Sequence, residues 1–89
     1  MNNRRRKAIE TIINDLLDKF EELKSDAVAQ LEEIRNEEEE AYDNLPESLQ
    51  DSESGENMQN CIDALDSFIS DLEDMEIEGT DDLLEEIGG

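Results

Sequence analysis

The 89-residue chain has no histidine, no tryptophan, one cysteine, one proline and only four glycines. Each scarcity removes a class of chemistry. Without histidine there is no Ser/His or Cys/His nucleophilic pair and no histidine-ligated metal within the chain. Without a glycine-rich run there is no loop suited to cradling a phosphate. The lone Cys61 has no partner for an internal disulfide, which points to a reducing cytoplasm. Long apolar runs are missing too. Arg4 to Lys7 are followed by acids every few residues, so neither a signal peptide nor a membrane-spanning segment is expected. These absences predict a protein that is not an enzyme and carries no cofactor.

Bases are scarce as well, and unevenly so. Residues 1–24 hold six against five acids, whereas residues 25–89 hold Arg35 alone against 23 acids, giving a net charge of −21. Such a surface repels nucleic acid and anionic membranes, attracts basic protein surfaces, and repels itself. Arg4 to Lys7 alone would suggest nucleic-acid binding or nuclear import. Beside so many acids, they are expected to meet an internal or inter-subunit partner instead.

What the chain does have is helical periodicity. Ile9, Ile13, Leu16, Phe20, Leu23 and Ala27 step by fours and threes, then Leu31, Ile34, Ala41 and Leu45 follow. This is the seam of a left-handed coil with a stutter at Ala27–Leu31, widened by Ile12, Leu17 and Val28 to suit a bundle. The spacing predicts helix 1 over about 4–44, capped by Asn2 or Asn3 and ended by Pro46. A corner follows at 45–51, then helix 2 over about 52–75 with Asp51 or Ser52 as its cap. Met58, Cys61, Ile62, Leu65, Phe68, Ile69 and Leu72 form its apolar face. Gly55 inside helix 2 is expected to permit close approach to helix 1, opposite Tyr42. Gly79-Thr80 breaks the pattern before a tail helix at about 80–87, which continues the second arm or hangs as a mobile tail. The expected class is all-α: one domain, an antiparallel helical hairpin with a short C-terminal helical segment. Dimerisation would make it a four-helix bundle. Phe20, Leu23, Leu31, Ile34, Tyr42, Leu65, Phe68 and Leu72 are expected in the core, and Cys61 as a small core residue rather than a reactive thiol.

One stretch has the form of a metal loop. Asp74, Glu76, Glu78, Gly79, Thr80, Asp82 and Glu85 occupy positions 1, 3, 5, 6, 7, 9 and 12 of an EF-hand pattern, whose oxygens would suit Ca²⁺. Glu where the shorter Asp or Asn is usual, Asp81 at an apolar position and a two-turn exit helix all count against it. In so acidic a tail the match is expected to be chance, and no metal is predicted.

The corner carries a resemblance. AYDNLPESLQ from Ala41 to Gln50, with Ser52-Glu53, Gly55-Glu56 and Met58, resembles small acidic coiled-coil proteins of bacteriophages and prophages. The resemblance covers roughly residues 33–73. It implies a helical hairpin and a phage origin, and it transfers no catalytic residues. Charge and resemblance together predict a phage-encoded acidic protein in the host cytoplasm. It would inhibit a basic nucleic-acid-handling or defence protein by mimicry or occlusion. The expected contact residues are Glu37, Glu38, Glu39, Glu40, Asp43, Glu47, Asp63, Asp66, Asp71 and Glu73. A structural protein acting by self-association is the alternative, and a ligand- or metal-binding helical oligomer a further one.

Overall fold

The absence of glycine and proline from residue 3 to residue 43 lets one helix run uninterrupted. In the computed structural model, which describes residues 1–88, α1 occupies Asn3–Asp43. At 1.5 Å per residue it is about 60 Å long. The Asn2 side chain caps it, accepting from the Arg5 backbone N–H at 2.9 Å. Three more helices follow: α2 (Glu47–Gln50), α3 (Glu53–Glu73) and α4 (Thr80–Gly88). No strand occurs among the described residues, and the all-α class stands.

The corner is more structured than a plain loop. Pro46, with φ −58° and ψ 146°, sits ahead of α2, and its carbonyl accepts from Leu49 and Gln50 N–H at 2.8 and 3.1 Å. Ser52 then caps α3: its hydroxyl accepts from Gly55 N–H at 3.4 Å and donates to the Leu49 carbonyl. Gly55 is required here by the backbone just before α3. A Cβ on it would lie 2.1 Å from the Gln50 carbonyl oxygen and 2.7 Å from that of Leu49. The close approach is therefore to the backbone of α2. At Gly79 the reason is different: φ is +86°, a left-handed conformation costly for any residue with a Cβ.

The chain divides into two compact units, and α1 contributes to both. The terminal unit is Met1–Leu23 with Met75–Gly89, and the middle unit is Lys24–Asp74. In the middle unit, Lys24 reaches Glu73, Arg35 reaches Asp66, and the carbonyl of Tyr42 meets Gln50. Partners that descend in number as the first residue ascends mean antiparallel segments. Ile62, 2% exposed, and Ile69 are its buried side chains, each worth about 1.5–3 kcal/mol by burial. Leu31, Tyr42, Leu65 and Leu72 are half-buried. In the terminal unit Ile13 and Ile87 are buried, and Leu17, Phe20, Ile77 and Leu84 half-buried.

Four expected core residues lie outside it. Leu23 is 72%, Ile34 54% and Phe68 52% exposed, and Cys61 is exposed as well. The cause is the flank taken: Ile13, Phe20, Ala27, Leu31 and Leu45 stay inward, but between them the inward face runs through Leu17, Lys24, Arg35 and Tyr42 rather than Leu16, Leu23, Ile34 and Ala41. Only these alternate positions of the seam are displaced by one residue. The half-buried positions there are Lys24 and Arg35, not Leu23 and Ile34. On α3 the inward line is 58, 62, 65, 69 and 72, which leaves Cys61 and Phe68 one step behind it.

Candidate interaction surface

The ten expected contact acids all belong to the middle unit. Glu37, Glu40, Asp43, Glu47, Asp63, Asp66, Asp71 and Glu73 are exposed, and Glu38 and Glu39 half-buried. They do not form one patch. Successive helix residues turn by about 100°, so the run Glu37–Glu40 passes all the way round α1.

Arg35 organises part of the set. Its Nε donates to Asp66 Oδ1 at 2.8 Å, its Nη2 lies 3.3 Å from Asp66 Oδ2, and its Nη1 donates to Glu39. The Arg35 side chain is only 22% exposed. The Asp66 hydrogen bond, opposed by desolvation and helped by the charges of Asp66 and Glu39, holds Arg35 more firmly protonated than usual. Asp66 and Glu39 are thus already partnered and are weaker candidates for an outside base. The signal for Arg35 was in the sequence, as the one base after residue 24. Its register on the inward line was not.

The Arg35–Asp66 pair also fixes the two flanks of the α1–α3 seam. Asp66 and Arg35 share one flank. One residue back from Arg35, Ile34 turns to the other flank; two residues on from Asp66, so does Phe68. Cys61 lies two turns before Phe68 on the same side. One flank of the middle unit is therefore ionic and the other apolar.

Gln50 is a second residue that sequence reasoning missed. Its side-chain amide donates to the carbonyls of Tyr42 and Leu45 at 3.3 and 3.2 Å, tying the end of α1 and the turn after it to the corner. The terminal unit carries an open cleft of about 320 Å³, with Leu17, Phe20 and Ile77 beside Glu21, Glu76, Thr80 and Asp81. Among the described residues no three His, Cys, Asp or Glu side chains converge to hold a metal ion, so Asp74, Glu76, Glu78, Asp82 and Glu85 do not assemble as a site. No helix among them is long and apolar enough to cross a membrane.

No family model, no curated protein and no solved structure matches the chain.

Proposed function

We propose that this chain is an interaction protein whose middle unit binds and blocks a basic protein. One observation carries the reading. The middle unit holds seventeen acids against Lys24 and Arg35, a net charge of −15, and most of the acids are exposed. A fold needs some net charge for solubility, but not this much of one sign. Dense carboxylates on a helical surface compete for a basic cleft that otherwise takes phosphates, and this needs no catalytic group. The corner resemblance adds a phage origin and, as partner, a nucleic-acid-handling or defence protein in the host cytoplasm.

The test is affinity capture from a bacterial lysate with and without nuclease, followed by association kinetics with the captured protein. On-rates should fall steeply with salt. Changing Glu37–Glu40 to Lys should slow capture while the far-ultraviolet helix signal persists. Equal on-rates for parent and reversed mutant, with binding lost on truncation at Ile77, would place the function in the C-terminal segment.

A second reading, self-association into a four-helix bundle, is favoured by the exposed Ile12, Leu16 and Leu23. Residues 1–23 hold five bases and five acids, so this part of α1 meets a second copy without net repulsion. Sedimentation at micromolar concentration separates dimer from monomer.

A further inference from the structure

The apolar flank of the middle unit is unexplained by charge alone. Ile34 and Phe68 are each more than half exposed, Cys61 and Ala64 lie open beside Phe68, and Ala41 is exposed two turns beyond Ile34. Together they make a lane along both helices. Its edges are acidic. By helical rotation Asp26 and Glu37 lie on the outer side of α1 next to the lane, and Glu53 and Asp71 on the outer side of α3. The opposite flank, with Arg35 tied to Asp66 and Glu39, has no such lane.

We propose that this lane is the docking site for a basic amphipathic helix. The proposal rests on the reading of the middle unit as the surface for a basic protein, and names the element of that protein which is bound. Charge decides the occupant. A second copy of the middle unit would bring −15 against −15, with only Lys24 and Arg35 as bases, both half-buried and engaged. An acidic or neutral helix gains nothing from the carboxylate edges. A helix with an apolar stripe and flanking Lys or Arg sets its stripe on Ile34 and Phe68 and its cations on both acidic edges at once. Apolar contact then supplies affinity and charge supplies speed of encounter.

The probe is a synthetic helix of about 18 residues, ~27 Å long, made of Leu at helical spacing with Lys elsewhere. Its scrambled isomer has the same charge and no stripe. Titration calorimetry should show the ordered peptide binding at least about tenfold more tightly than the scrambled one. Binding should protect Cys61, the only thiol, from N-ethylmaleimide. Phe68→Ser and Ile34→Ser should each weaken the ordered peptide by about tenfold, with helix content unchanged because both side chains are exposed. If both peptides bind alike and Cys61 stays reactive, the lane has no role while the acidic-surface reading survives. If neither peptide binds, both readings fall. If the free chain sediments as a dimer that Phe68→Ser dissociates, a second copy is the occupant and the proposal is overturned.

Discussion

The terminal and middle units share α1 and one stabilising device, yet differ in charge. Neither α3 nor α4 has a base in its last turn. In each unit a base from α1 takes that place: Lys24 Nζ donates to the Glu73 carbonyl at 3.1 Å, and Arg6 Nε to the Ile87 carbonyl at 2.7 Å. A cation at a helix C-terminus meets the negative end of the dipole and satisfies an orphan carbonyl. The middle unit is left at −15, whereas the terminal unit, with five bases and eleven acids, stands at −6. Similar packing thus supports two surfaces, one strongly anionic and one mildly so. Arg6, Lys24 and Arg35 are used where a carbonyl or carboxylate is satisfied, and most of the abundant acids are left outside.

The largest expected effect comes from the core of the more charged unit. Ile62→Ala should cost about 2–5 kcal/mol in chemical denaturation, because the side chain is buried and a cavity remains. Ile87→Ala in the terminal unit should open α4 amides to hydrogen exchange and leave those of α3 protected. Loss of protection in α3 as well would show that the two units do not behave separately.

Gly55→Ala comes next. Alanine improves helix propensity by about 1 kcal/mol, but the new Cβ meets α2 backbone that cannot turn aside. A net loss of about 1–3 kcal/mol is expected from overpacking, read from the denaturation midpoint. A gain would mean that α2 can move away without cost.

The shared device is probed by Arg6→Ala and Lys24→Ala. Loss of a charge-assisted bond to a helix end should cost about 1 kcal/mol for Arg6, whose contact is part-buried, and less for Lys24, whose contact is exposed. Equal losses would remove the distinction between the two contacts.

Charge itself should show in the melting temperature. Added salt should raise the Tm of the parent by screening a net −21 over ~8 Å at physiological ionic strength. Arg35→Gln should lower it most at low salt, where Asp66 and Glu39 repel across the vacated seam. Because the folded protein raises the Arg35 pKa, this contribution is complete below the ordinary arginine range and is lost only above it. The Arg35→Gln difference should therefore show no arginine titration between about pH 6 and 9. Smallest of all, Phe68→Ser should change stability by less than about 0.5 kcal/mol, as befits a surface site. A large loss would return Phe68 to the core.

The sequence by itself determined the helices. Uninterrupted periodicity set α1, Pro46 and Ser52 set the corner, Gly79 set the last break, and the scarcity of bases set the anionic surface. These are local matters of φ, capping and composition, which neighbouring residues decide. Only tertiary structure decided which of two adjacent apolar lines turned inward. Ile34 and Arg35, or Phe68 and Ile69, differ by one residue and about 100°, and either can flank a seam whose remaining positions are common to both lines. The structure took Arg35 and Ile69 inward and left Ile34, Cys61 and Phe68 outside. It also showed that Gly55 answers to α2, a four-residue helix whose carbonyls no pattern in the sequence had placed beside it.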